Sequence, residues 1–231
     1  MAGIAIAIDG PSGSGKSSVA REVAQHLALA YLDTGAMYRA ATVWALRSGV
    51  SLGDTGRVAH LVRTMPLRIC LDPAAPGWWL AGDDIAQVIR DPAVSAAVSQ
   101  LATNLDARPL LIEAQRGIVA TERVGGWSRG RGVVAEGRDI TTVVAPDAEV
   151  RILVVASEAA RLARRAVQLH GRTDPHAVAA TRASVVDRDA ADSTVAEFMT
   201  AADGVTVLDN TDLTLDQTVR AVLDLVEERA R

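Results

Sequence analysis

Eight residues near the start of the chain, Gly10-Pro11-Ser12-Gly13-Ser14-Gly15-Lys16-Ser17, restrict what it can fold into more than any other feature. Glycines at the first and sixth positions, then lysine and serine, complete the pattern G-x-x-x-x-G-K-[ST]. Glycine lets successive backbone N–H groups turn into one concavity and approach phosphate oxygens closely. A helix beginning there adds the positive end of its dipole. The pattern requires a strand before it and a helix after it, and both are legible. Ile4 to Ile8 is a short apolar run closed by Asp9-Gly10, which reads as a buried parallel strand. Ser17 to Leu29 carries Val19, Val23, Ala24 and Leu27 at helical spacing. Gly10 to Ser17, with Ser18 beside them, are therefore expected to cradle a nucleoside triphosphate. Lys16 would reach the β- and γ-phosphates, and the Ser17 hydroxyl would ligate Mg²⁺.

Lys16 is singular in another respect. The chain has 24 Lys plus Arg, and Lys16 is its only lysine. An ammonium is a compact charge on a flexible stem, whereas a guanidinium is a flat, wide fork. A site enclosed by backbone accepts the first and excludes the second. The same count removes one class of triphosphate protein: a GTPase guanine signature of the Asn/Thr-Lys-x-Asp type needs a second lysine. A mechanical ATPase would usually be longer than 231 residues and would need a coupling region. Compact kinases remain, with a second phosphate-handling region for the acceptor and a mobile cover against water.

Other short apolar segments fall at Tyr31-Leu32, Val133 to Ala135, Arg151 to Ala156 and Val205 to Leu208, separated by helical patterns. Alternating β and α favours a parallel sheet covered on both faces, with ligands at the carboxyl ends of the strands. The fold class expected is α/β, with a five-stranded parallel sheet flanked by helices. Thr214-Leu215-Asp216-Gln217 reads as a capping box opening the last helix, whose apolar stripe runs through Leu215, Val219, Val222, Leu223 and Val226. Two stretches do not fit the sheet. Leu67 to Leu71 and Trp78 to Ala81, within about 49–99, read as a hairpin in an inserted substructure. From about 157 to 190, arginines outnumber acids, and Arg161, Arg164 and Arg165 recur at a spacing that lets them converge. Arginine at the transferring phosphoryl group is worth roughly 10³-fold or more in rate, so these three are candidate catalytic groups on a cover.

Composition narrows the partners. A net charge of −4 argues against a general nucleic-acid or membrane-surface binder. The single cysteine, Cys70, permits no intrachain disulfide and suits a reducing cytoplasm. No apolar run approaches the ~20 residues that span a bilayer. Met1 to Asp9 lacks the basic region of a secretory signal.

Four motifs, in order, resemble a known family. Ile8 to Ser17, then Leu32-Asp33-Thr34-Gly35-Ala36-Met37-Tyr38-Arg39, then Val134-Ala135-Glu136-Gly137-Arg138-Asp139-Ile140, then Arg188-Asp189-Ala190-Ala191-Asp192-Ser193 are similar to bacterial cytidylate kinase. The resemblance covers essentially the whole chain. It implies a P-loop kinase with a core (1–34, 100–156 and 191–231), a monophosphate-binding region with insert (35–99) and a short lid (157–190). It implies transfer of phosphate from ATP, with Mg²⁺, to CMP or dCMP; separately from the resemblance, the chain is expected to be a monomer. Carried over by position, Thr34 lies near the acceptor, and Arg39 and Arg138 hold the acceptor phosphate, Arg138 also serving catalysis. Ser99, Arg108 and Asp139 read the cytosine edge, where a carboxylate accepts from the amine that uracil lacks. Arg188 and Asp192 contact phosphate and ribose. Glu136, at a strand end beside the loop, is expected to hold a Mg²⁺-bound water; an ion pair with an arginine is the alternative. Where the family continues with arginine after Asp-Ser-x, this chain has Val195, and the family's Gly-Thr after Arg-Asp-Ile is Thr141-Thr142. A kinase for another small acceptor and a nucleotide-binding regulatory protein remain the competing readings.

Overall fold

The computed structural model describes residues 2–229, apart from the side chains of Ala183, Ser184, Asp187 and Arg188. In chain order it contains β1 (Ile4–Asp9), α1 (Lys16–Leu27), β2 (Ala30–Asp33), α2 (Thr34–Arg47), α3 (Thr55–Arg63), β3 (Leu67–Cys70), β4 (Gly77–Leu80) and β5 (Asp83–Asp84). Then follow α4 (Pro92–Ala102), α5 (Arg108–Val124), β6 (Gly132–Gly137), β7 (Val150–Val155), α6 (Glu158–His170), α7 (Pro175–Asp192), β8 (Thr206–Asp209) and α8 (Leu215–Arg229).

Five of these strands form a parallel sheet in the order β2-β6-β1-β7-β8. The expected strands are all present, each within a residue or two of its expected span. The chain crosses from β1 to β2 and returns later to fill the gap with β6. The turns after β1, β2 and β6 therefore share one edge, the carboxyl end of the sheet, where open α/β sheets bind ligands. Register fixes their spacing: Asp9 lies opposite Gly137 and Asp33 opposite Glu136.

Alternation along β1 sends its apolar side chains to both faces. Ala5 and Ala7 pack with α2, α3 and α5, while Ile6 and Ile8 pack with α1 and α8. Full burial of each isoleucine contributes roughly 2 kcal/mol, enough to hold the strand central. The capping box of α8 is present: the Thr214 N–H donates to Gln217 Oε1 at 2.9 Å and the Gln217 N–H to Thr214 Oγ1 at 3.2 Å. Val219, Val222 and Val226 are buried as expected, but Leu215 is 42% exposed. It belongs to the cleft described below and not to the core stripe.

The insert is a three-stranded antiparallel sheet, β3-β4-β5. The hairpin is as expected; β5, only two residues long, is an addition. Trp78, Leu80, Ile85 and Ile89 pack beneath α2, and the Arg68 guanidinium stacks 3.7 Å over the Trp79 ring. The turn joining β3 to β4 is tied to the core. Arg21 of α1 donates to the Pro73 and Ala74 carbonyls at 2.7 and 3.1 Å, and Gln25 to Pro73 at 2.9 Å. Helices α6 and α7 form an antiparallel pair, capped by Ser157 and Asp174. No helix among the described residues is long and apolar enough to cross a membrane.

Candidate active site

The carboxyl ends of β1, β2 and β6 open into a cleft of about 830 Å³, walled by α6 on one side and by the insert on the other. At one end lies the glycine loop. Gly13 and Gly15 have φ of 77° and 87°, a region costly for other residues, and this exposes the loop's backbone to the cleft. Lys16 and Ser17 line it, as do Ser12 and Ser18; Gly10, Pro11 and Ser14 do not. The Lys16 ammonium lies over the loop, 3.4 Å from the Pro11 carbonyl. Not every loop N–H faces inward: that of Ser12 donates to Asp189 Oδ1 at 2.8 Å.

The Ser17 hydroxyl donates to Glu136 Oε1 at 2.7 Å. Glu136 is 3% exposed. Burial, and then Asp33 beside it, push its carboxyl up to about 7, against the pull of Lys16 and Ser17. No arginine ion pair forms at Glu136 among the described residues; its partners are the Ser17 hydroxyl and, at 3.5 Å, that of Tyr31. A hydroxyl and a carboxylate oxygen side by side are hard donors, the set that suits Mg²⁺.

At the other end the acceptor candidates gather. Arg39 of α2 lies 3.5 Å from Asp33, its Nε buried without a hydrogen-bond partner. Across the cleft is Arg165, whose guanidinium is lowered from its ordinary value by burial and by Arg39. Two guanidinium groups facing one space leave a place suited to an anion. The Thr34 hydroxyl donates to the Glu136 carbonyl at 2.8 Å, joining the start of α2 to β6. Arg108 opens α5 and pairs with Asp139 at 2.6 Å. Burial raises the Asp139 carboxyl, and Arg108 partly offsets this. Arg138 is held on three sides, by Asp192 at 2.9 Å, Asp189 at 3.2 Å and the Gly10 carbonyl at 2.5 Å. Its guanidinium also lies 4.5 Å from the Phe198 ring centre.

A family model described as cytidylate kinase matches residues 6–228. The chain belongs to the cytidylate kinase family. A cytidylate kinase of Cutibacterium acnes is 46% identical over 224 residues, covering 96% of each chain. One from Rhodococcus jostii is 44% identical over 229 residues, covering 98% of this chain and 96% of its own. One from Nocardia farcinica is 43% identical, covering 98% and 94%.

Three residues expected at the site land elsewhere or in other company. Arg161 does not reach the cleft. It is buried in an ion pair with Asp189 and donates to the Ser12 carbonyl at 3.0 Å, so it braces the loop from behind. Its carboxylate comes from α7, not from its own turns, which is why local spacing did not reveal it. Arg164 lines the cleft, but its donors are engaged by Asn210 and by the Ser14 carbonyl. Ser99, near the end of α4, is not among the residues lining the cleft and donates to Asp192 at 3.2 Å. The Arg188 side chain falls outside the described residues.

Other residues line or support the cleft without having been expected as site residues. Asn210, after β8, donates to the Ser14 carbonyl at 2.9 Å and accepts from Arg164. Leu213 and the exposed Leu215 form an apolar wall beyond the loop. Val195 stands in the cleft wall where the family pattern has arginine.

Proposed function

We propose that this chain transfers the γ-phosphoryl group of ATP to CMP or dCMP, giving ADP and CDP or dCDP. The observation that carries the reading is one continuous cleft lined by Lys16 and Ser17 at one end and by Arg39, Arg108, Arg138 and Asp139 at the other. Family membership supports the pairing of substrates.

Each group has a definite task. Backbone N–H groups of the loop and the α1 dipole hold the β- and γ-phosphates, with Lys16 over them. Mg²⁺ would be held by Ser17 and, through water, by Glu136; when bound it neutralises charge on the phosphate oxygens. Arg39 and Arg138 grip the acceptor phosphate bidentately, a geometry natural to a guanidinium. Arg165 stands opposite to meet charge on the transferring group. Asp139 accepts from the exocyclic amine of cytosine, and Arg108 fixes that carboxylate and donates to the base. The acceptor's phosphate oxygen forms the new bond to phosphorus as the bond to the β-bridging oxygen breaks. That oxygen is already anionic, so no general base is required. Residues 157–190 act as a lid that excludes water.

Measuring kcat/KM by coupled ADP release with CMP, dCMP, UMP, AMP and GMP tests the reading. CMP and dCMP are expected to lead, and a best acceptor of AMP or GMP would sink it. Val195 gives a further prediction. Arginine there would add a charge-assisted bond worth roughly 1.5–3 kcal/mol, about 10- to 150-fold. Val195→Arg is therefore expected to lower the KM for CMP. An unchanged or higher KM would mean that another group already makes the contact.

A further inference from the structure

One buried carboxylate has no part in the mechanism above. Asp9 ends β1, immediately before the glycine loop, and is 1% exposed. Its oxygens accept the Ile140 N–H at 3.0 Å, the Thr141 N–H at 2.8 Å and the Thr141 hydroxyl at 2.7 Å. Ile140 to Val144 form a single π-helical turn that starts directly after Asp139. The leading N–H groups of any helical turn lack partners within it. Here Asp9, from a strand more than a hundred residues away, supplies both. The turn's carbonyls are held too: Arg116 donates to that of Val143 at 2.6 Å and Arg151 to that of Thr141 at 3.3 Å. Thr141 stands where the family pattern has glycine, so the hydroxyl contact belongs to this chain's own sequence.

The consequence reaches the acceptor base. Asp139 is joined covalently to the first residue that Asp9 holds, and its own carbonyl accepts from Val143 and Val144 within the turn. Its carboxylate must lie 2.6 Å from Arg108 while presenting an oxygen to the base. A misplacement of about 1 Å in such a group costs on the order of 10²-fold. We propose that Asp9 is a positioning residue for acceptor choice: by holding the start of the 140–144 turn it sets Asp139, and through Asp139 it sets preference for cytosine over uracil. The inference rests on the reading of Asp139 as the group that meets the cytosine amine.

The test is a double-mutant cycle on acceptor discrimination. Steady-state kinetics with CMP and UMP are measured for the unaltered protein, Asp9→Asn, Asp139→Asn and the double variant, with thermal melting of each. In Asp9→Asn the amide offers one acceptor where the carboxylate offered two, and it points a donor at a donor. The CMP:UMP ratio of kcat/KM is expected to fall at least about tenfold, chiefly through KM for CMP, with KM for ATP within about twofold. Asp139→Asn is expected to abolish the preference, and Asp9→Asn added to it to change the ratio no further. If Asp139→Asn keeps the preference, the reading of the acceptor site fails. If Asp139→Asn loses it while Asp9→Asn keeps it, or the double variant loses CMP and UMP activity equally and additively, the role of Asp9 is overturned. Should Asp9→Asn not fold, Thr141→Val decides: it removes only the hydroxyl contact, and about a threefold fall in the ratio is expected. An unchanged ratio in that variant overturns the inference.

Discussion

Lys16→Ala is expected to lower turnover by on the order of 10³-fold or more and to leave the melting temperature nearly unchanged. The cause of the first effect is electrostatic. Phosphoryl transfer is mostly positioning and charge stabilisation, and a cation at the transferring group is worth roughly 10³-fold. The second effect follows from packing. Lys16 is the first residue of α1, half-exposed in the cleft, and its bond to the Pro11 carbonyl is long at 3.4 Å. Buried apolar residues of α1, including Val19 and Val23, keep the helix in place. Lys16→Arg should not restore activity, because a planar guanidinium does not place its charge where a compact ammonium does. Turnover and melting measured on the same preparations check this. Retention of most activity in Lys16→Ala would contradict the reading of the loop.

Arg138→Ala is expected to fail in both respects. Loss of a guanidinium from the acceptor phosphate should reduce kcat/KM for CMP by about 10²- to 10³-fold. Stability should fall as well, because Arg138 is the cation shared by Asp189 and Asp192, both buried. Breaking an isolated buried ion pair costs roughly 3 kcal/mol; here Asp189 keeps Arg161 and Asp192 keeps the Ser99 hydroxyl, so about half of that is expected. At this chain length that lowers the melting temperature by about 3–6 °C. Arg138→Lys should recover part of the stability and little of the activity, since an ammonium cannot donate along two fixed directions to one phosphate. A variant that melts normally would show the ion pairs to be weak. A variant active within tenfold would remove Arg138 from the phosphate.

The two variants separate what the sequence displays from what it hides. Strand, glycine loop and helix are contiguous, so this unit of the fold was readable from Ile4 to Leu29 alone. The five strands were readable too, because a strand buried on both faces is a short apolar run wherever it stands. The hidden features are pairings across the chain. Arg161 looked like one of three converging cleft arginines; it is neutralised by Asp189 from α7, twenty-eight residues on. Leu215 looked like a core residue because helical spacing cannot tell a core from a cleft wall. Asn210 and Asp9 are single polar residues at strand ends, where a turn-forming role is the ordinary explanation. Their contacts with Ser14 and with the 140–144 turn exist only once β6, β1, β7 and β8 are assembled in one sheet. The β5 strand is two residues long and carries no apolar alternation to announce it.

The central claim is that one cleft carries a phosphoryl group directly from ATP to a cytidine monophosphate. It is tested by following ATP labelled at the γ-phosphate, incubated with Mg²⁺, CMP and the protein. The label is expected in CDP, one ADP for each CDP, with little labelled inorganic phosphate. Label released as inorganic phosphate at the rate of ADP formation, or remaining in ATP while CMP is unchanged, would contradict it.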